Sequence, residues 1–210
     1  ANNYEPSQMI DVAESAIDAH VLPECVESVA VFINGQFSPK HSRLQGLSNR
    51  IVIETLSDGM KTYGSFLNSQ STKSLKDEAD PFAAINTAVH CDGLFLYLPP
   101  KTVAEVPLQV LNIIDTGSVP MYIVPRAQIF VGMQSEISIV STQAVLSGES
   151  YGFNMVADIS IEEDAHVRYI QASCDIKENI WHFDAVRATL KRDSTLKTVN
   201  VTDGSATARF

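Results

Sequence analysis

Cysteine is scarce in this 210-residue chain, and Cys25, Cys91 and Cys174 lie far apart with no C-x-x-C pair. A zinc ribbon, a thioredoxin-type redox motif and a local iron–sulfur ligand motif therefore lack support, and a reducing, cytoplasmic setting is expected. No apolar run reaches membrane-spanning length; the longest blocks, such as Leu94–Pro100, are the size of a strand. The first residues, ANNYEPSQMID, show neither a basic n-region nor an apolar h-region, so no signal peptide is expected. Basic residues are also few: 15 against 25 acidic ones, a net charge of −10. That balance disfavours nucleic acid or an anionic membrane as main partner, because both need a basic surface. No G-x-x-x-x-G-K-[ST] occurs, so the chain is not itself an ATPase of that type. Gly148–Gly152 mimics part of a nucleophile elbow but lacks its order of residues.

What is present describes a folded chain, with 45% hydrophobic and 19% charged residues. Residues 1–30 hold Glu5, Asp11, Glu14, Asp18, Glu24 and Glu27 and no Lys or Arg, which reads as a solvated helix face. Ser7 is placed to cap a helix running to about His20, with Met9, Val12, Ala13, Ala16 and Ile17 on one side and Pro23 as its stop. The Asn34-Gly35 pair between Val29–Ile33 and Gln36-Phe37 predicts a hairpin, since both residues tolerate positive φ. Ile51–Ile53 reads as a short strand, Ser57 as the cap of a helix towards Phe66, and Asn68–Asp80 as a mobile linker. Asp80-Pro81 opens another helix, with Asp as N-cap and Pro at the first helical position, ending near Asp92-Gly93.

After Gly93 helical spacing gives way to short β-rich segments, and a repeat emerges. Ile129-x-Val131, three residues, Ser135-x-Ile137-x-Ile139 is followed by Ile159-x-Ile161, three residues, Ala165-x-Val167-x-Tyr169. Ala188-x-Leu190, three residues, Ser194-x-Leu196-x-Thr198 is the third copy, so the small residues recur at spacings of 30 and 29. A weaker copy starts at Leu96 and runs through Thr102-x-Ala104-x-Val106. Two period-2 strands joined by a tight corner cannot bury an apolar face alone; stacking such units buries it and makes a β-solenoid. Ser135, Ala165 and Ser194 should then stack in one column, with Ile137, Ile139, Val167, Tyr169 and Leu196 inward. A jelly roll is the rival with many short strands, and the near-constant spacing favours the solenoid.

Several segments resemble the SufB/SufD family of iron–sulfur cluster assembly proteins. They are Asp80–Ala88, Asp92–Pro99 and Pro107–Asn112, with Phe32–Pro39 upstream and Glu163–Val167 and Lys191–Leu196 later. The upstream and late segments resemble the SufD branch. The resemblance implies a right-handed parallel β-helix preceded by a small α+β region, divided here as residues 1–79 and 80–210. It also implies a SufD-like, non-enzymatic scaffold subunit working through contacts with SufB-like and SufC-like partners, SufC being the ATPase. No later coils or closing helices follow Thr202–Phe210, so the chain reads as the first half of such a protein, expected to self-associate through its C-terminal end.

No catalytic, cofactor-binding or metal-ligating residue is assigned. His90-Cys91-Asp92 puts three ligand types in a row, but neighbours on an extended chain point to opposite sides. His166, Cys174 and His182 are eight residues apart each, a spacing that a solenoid could bring onto nearby walls; buried packing for Cys and exposure for His is the plainer reading. Glu162-Glu163-Asp164 beside Arg168 resembles the acid clusters of polysaccharide-degrading β-helices, and a carbohydrate-active enzyme is the alternative function. The triplet falls in the corner slot of the repeat, where a solvated turn is expected, and Trp181 is the only Trp available as a sugar platform.

Overall fold

The computed structural model describes residues 5–6, 8–64, 80–148, 150–177, 180–204 and 207–209. From residue 94 the chain alternates between two sheets. Strands β5 (Leu94–Leu98), β7 (Met121–Ile123), β8 (Arg126–Val131), β10 (Tyr151–Ile161), β12 (Trp181–Leu190) and β14 (Thr207–Arg209) belong to the first. Strands β6 (Leu108–Asp115), β9 (Glu136–Ser147), β11 (His166–Ile176) and β13 (Thr195–Gly204) belong to the second. Every pairing between these strands is parallel, each strand bonding to its counterparts one coil away, which makes a solenoid of about 4 turns.

The corners explain the repeat. Lys101, Gln134, Asp164 and Asp193 take φ of 59°, 57°, 56° and 57°, one left-handed residue per coil at the same place. Each such residue costs about 1 kcal/mol. Bonds along the stack offset that: Lys101 N to Met133 O at 2.9 Å, Gln134 N to Glu163 O at 3.0 Å and Asp164 N to Arg192 O at 3.2 Å. Glu136 N bonds Thr102 O, His166 N bonds Ser135 O and Thr195 N bonds Ala165 O, so Thr102, Ser135, Ala165 and Ser194 form the expected column. The inward residues are in register too: Ile137, Val167 and Leu196 align, as do Ile139 and Tyr169. Facing them, Leu96, Ile129 and Ile159 stack from the first sheet, so this side of the interior is largely aliphatic.

The first coil departs from the pattern. Thr102 stacks in the column, but Ala104–Val106 forms no strand and β6 begins only at Leu108. Pro107 is the reason: it has no N–H for a ladder, and its carbonyl accepts from Ser28 Oγ at 2.7 Å instead.

The N-terminal region is built onto both sheets. Strand β2 (Val29–Ile33) runs parallel to β6, and Asn34-Gly35, with φ of 48° and 84°, turns it into β3 (Gln36–Phe37) as the Asn-Gly pair predicts. Strand β4 (Val52–Thr55) pairs antiparallel with β5. The short β1 (Glu5–Pro6) pairs with β7, and the predicted helix to His20 shrinks to α1 (Glu14–Asp18). Tertiary contacts override the helical spacing there: Gln8 O accepts from the buried Asn34 side chain, holding residues 8–13 outside the helix. The proposed cap Ser7 lies outside the described residues. Val12 and Ile17 still bury against the outer face of the second sheet, on Val29, Val31, Ile33, Leu111, Ile113 and Ala144, while Met9 is exposed.

Residues 56–64 are helical (α2), and the cap is Thr55 rather than Ser57. Thr55 Oγ1 accepts from Asp58 N and donates to the Asp58 carboxylate, while Ser57 N is used by Asp92 Oδ1. The end expected near Phe66 and the expected linker Asn68–Asp80, save Asp80 itself, lie outside the described residues. Helix α3 (Pro81–Val89) starts as predicted, Asp80 Oδ1 accepting from Phe82 N at 2.8 Å.

Inward and outward positions should differ sharply in energy. Ile139→Ala, a fully buried site, should lower unfolding free energy by about 2–5 kcal/mol. The outward Lys197→Ala should stay within about 0.5 kcal/mol. Urea denaturation of the two variants checks the register.

Candidate functional site

Strand parity places two polar assemblies on the solenoid, one outside the first sheet and one in the interior. The outer one is centred on Asp158. Its Oδ2 is 2.5 Å from Arg126 Nη2, and its Oδ1 is 2.6 Å from Arg187 Nε, so two guanidiniums from the coils on either side hold one carboxylate. Gln128, Asp158 and Arg187 occupy one column across the sheet. Burial pushes the Asp158 carboxyl above its ordinary value, opposed by the Arg126 charge; burial also lowers Arg187.

Helix α3 lies over this group. Arg126 Nη1 donates to Asn86 Oδ1 at 3.1 Å and to Thr87 Oγ1 at 2.7 Å. Asn86 Nδ2 donates to the Pro125 and Asn154 carbonyls, and Asn154 Nδ2 donates to Phe82 O and Tyr122 OH. The Phe82 ring stacks on Phe183 at 3.8 Å. The assembly is a clasp that fixes the helix to coils two, three and four; its polar groups are spent on one another.

The interior assembly lies at the other end of the strands from the aliphatic corner. Alternation back from Ala188-x-Leu190 puts His182 and Asp184 inward, in register with Phe153 and Met155. His182 Nε2 sits 2.5 Å from Asp184 Oδ2, and its ring stacks on Phe153 at 5.0 Å. From the second sheet come Asn112, paired in register with Gln143, and Ser141, paired with Gln171. Asn112 Nδ2 and Ser141 Oγ each approach Met155 Sδ at 3.9 Å, and Gln143 Nε2 donates to Tyr151 OH at 3.0 Å. Asn112 Oδ1, Gln143 Oε1 and Asp184 Oδ1 are buried with no protein partner among the described residues. Burial raises Tyr151 to about 12, and burial with the Asp184 charge raises Tyr169 further. The group offers buried acceptors and one imidazole–carboxylate pair.

The residues singled out from sequence are scattered. His166 is exposed on β11 and bonds Thr195 Oγ1; Cys174 is exposed on the same strand, eight residues on and roughly 26 Å away at strand rise. His182 is buried inside the next coil, so the solenoid does not bring these three together. His90 Nδ1 lies 3.1 Å from the Asn86 and Thr87 carbonyls at the end of α3, Asp92 Oδ1 accepts from Ser57 N and Gly93 N, and Cys91 is exposed. Burial, then the Arg126 charge, lowers His90. Glu162-Glu163-Asp164 is a corner, as the repeat implies: Asp164 carries the left-handed turn and Arg192 reaches Glu163 at 3.4 Å. Among the described residues no three His, Cys, Asp or Glu side chains converge as a metal-ligand set.

Asn86, Arg126, Asp158, Arg187 and Asp184 were not singled out from sequence, yet a signal existed. Gln128, Asp158 and Arg187 each precede the first inward residue of their repeat copy, so the repeat alone aligns an acid beside a base.

Two outcomes check the interior. Asp184→Ala strands a buried imidazole and should cost about 1–3 kcal/mol in urea denaturation. The Tyr151 hydroxyl, raised in the fold, contributes stability that is complete below pH 10 and is lost as pH rises towards 12. Absorbance at 295 nm should show tyrosinate formation lagging until the fold opens, with a smaller lag in Tyr151→Phe.

Comparison with known proteins agrees with this architecture over nearly the whole chain. The family model of the SufBD protein N-terminal region matches residues 8–110. The SUF system FeS cluster assembly, SufBD core domain, matches residues 113–210. An iron–sulfur cluster assembly SufBD family protein from Synechocystis is 23% identical over 212 residues, covering 95% of this chain. The chain spans 45% of that relative's length. With an N-terminal region leading into a stacked β-solenoid and both family models matched in that order, the chain belongs to the SufB/SufD family of iron–sulfur cluster assembly proteins.

Proposed function

We propose that the protein is a SufD-like scaffold subunit, with residues 1–79 as its N-terminal region and 80–210 as the first part of its core. It acts in the cytoplasm, catalyses no reaction of its own, and works by holding SufB-like and SufC-like subunits in place. The match of both family models in order, over residues 8–110 and 113–210, carries the part in cluster assembly, and the resemblance of Phe32–Pro39, Glu163–Val167 and Lys191–Leu196 to the SufD branch supports the finer reading. The fold supports it physically. A parallel stack fixed at every corner and clasped from outside by α3 is a stiff body, suited to presenting surfaces at fixed separations. A carbohydrate-active enzyme finds less support, because the acidic triplet it would need is used in a corner of the stack. No helix among the described residues is long and apolar enough to cross a membrane.

Affinity purification of the full-length protein from its host should retain SufB-like and SufC-like subunits. Depleting it should lower the activity of a cluster-dependent dehydratase several-fold, with recovery on re-expression. A protein that purifies alone, and whose loss leaves cluster enzymes at full activity, would overturn the scaffold reading.

A further inference from the structure

The segment from Gln8 to Leu22 crosses the outer face of the second sheet and is fastened at both ends by carboxamides. At one end Gln109 accepts from Leu22 N and donates to His20 O. At the other, Asn34 Nδ2 donates to Gln8 O at 3.0 Å and to Asp115 O at 2.9 Å, and Asn34 Oδ1 accepts from Asp115 N at 2.9 Å. Asn34 is fully buried, so these three bonds satisfy a group that water does not reach. Between the fastenings Val12 and Ile17 press onto the sheet. At the rim the ion pairs Asp11–Lys40 and Asp18–Arg43, both 2.6 Å, face solvent, where such pairs contribute little. The seat of the segment therefore depends on two buried side chains, two carboxamides and the two-residue pairing of β1 with β7.

One of these fastenings is chemically labile. Asn34 precedes Gly35, whose nitrogen has no neighbouring side chain to keep it from the Asn34 carboxamide. Once the carboxamide is free to turn, Gly35 N attacks Asn34 Cγ. The new N–C bond closes a cyclic imide, the Cγ–Nδ2 bond breaks, and ammonia leaves with the Gly35 amide proton. Water then opens the ring, at Cγ to give aspartate or at the Asn34 backbone carbonyl to give isoaspartate. The fold requires both residues of the pair. Asn34 takes φ of 48° and supplies the donors that Gln8 O and Asp115 O accept. Gly35 takes φ of 84°, and a Cβ on it would come within 3.0 Å of Val124 N and Ile123 Cγ2. Geometry thus keeps a reactive pair in place. What restrains it is burial and a three-bond lock, and one partner in that lock belongs to the segment itself.

We propose that Asn34 is a deamidation site governed by the seating of residues 8–22, and that its conversion to aspartate or isoaspartate unfastens the segment irreversibly. The segment opens locally before the solenoid does, because it lies near the chain's start and packs through few side chains. Opening removes the Gln8 partner and lets the carboxamide turn towards Gly35 N. A carboxylate has no N–H to give. In the closed fold it would set an oxygen against the Gln8 and Asp115 carbonyls, leaving both acceptors unpaired and repelled. The reacted chain therefore keeps its solenoid and loses the seat of the segment, baring the aliphatic outer face that Val12 and Ile17 cover.

The 210-residue chain is incubated in mildly alkaline buffer, folded and in urea, and Asn34 is followed by peptide mass mapping with isoaspartate detection. The folded chain should react at least tenfold more slowly than the unfolded one. Ile17→Asp, which loosens the seat, should speed the reaction of the folded chain severalfold. Ile139→Ala, which weakens the solenoid interior instead, should leave it within twofold. Anion exchange then isolates the reacted chain, which carries one more negative charge. A glutamate-specific protease should cut it at Glu14 at least tenfold faster than the unreacted chain, and Asn34→Asp should behave in the same way. Circular dichroism confirms that the solenoid persists; if Asn34→Asp fails to fold, the reacted wild-type chain still gives the readout. A folded chain that reacts as fast as in urea would overturn the proposal. So would a reaction that Ile139→Ala speeds as much as Ile17→Asp, since opening would then be global. Cutting at Glu14 that is unchanged after Asn34 has reacted would equally overturn it.

Discussion

A solenoid strand can satisfy its backbone only through the coil before it and the coil after it. Everything else follows from that constraint. In-register parallel pairing forces one coil to repeat the length of the next, which is why the corner residues Gln134, Asp164 and Asp193 recur at near-constant spacing. One corner of each coil carries a left-handed residue, and the strain at Lys101, Gln134 and Asp164 is tolerable because the same residue's N–H bonds the neighbouring coil. In-register pairing also forces side chains into columns, so every coil must offer something compatible at each position.

Columns make the interior two-sided. Near the corner, Ile, Leu and Val stack on their own kind, and burial of aliphatic surface supplies the cohesion. Towards the other end the columns turn polar, and the coils must pair an imidazole with a carboxylate and a glutamine with a tyrosine hydroxyl. The same logic outside the first sheet lines up Gln128, Asp158 and Arg187, with Arg126 reaching Asp158 from two residues before Gln128, and lets one helix be clasped to three coils. The polar groups are costly to bury singly and gain by being stacked, which links the periodicity of the chain to the rigidity a scaffold needs.

The N-terminal region belongs to the same system rather than standing apart. Strand β2 extends the second sheet and β4 the first, so the first coil does not present a bare parallel edge. Pro107 interrupts the first coil where Ser28 holds its carbonyl, and that exchange of a strand for an anchored bend joins the N-terminal region to the stack.

The sequence by itself determined the repeat, the corner column, the inward set Ile137, Ile139, Val167, Tyr169 and Leu196, the Asn-Gly hairpin and the Asp80 cap, because each rests on local geometry or on strict periodicity. Parity carried far enough also places His182 and Asp184 on one inward face. Only the tertiary structure decided what those positions meet. The helix expected to begin at Ser7 is reduced to Glu14–Asp18 because the chain before it is held by Asn34, 26 residues away. The arm Ala104–Val106 is lost to a contact with Ser28, 79 residues from Pro107. His166, Cys174 and His182, equally spaced in the chain, end up on an outer face, the same outer face and the interior, because alternation sends even-numbered outward positions of β11 and inward positions of β12 in opposite directions. Spacing along a chain fixes which residues share a column; which columns face each other is set by packing between sheets, and no single stretch of sequence contains that information.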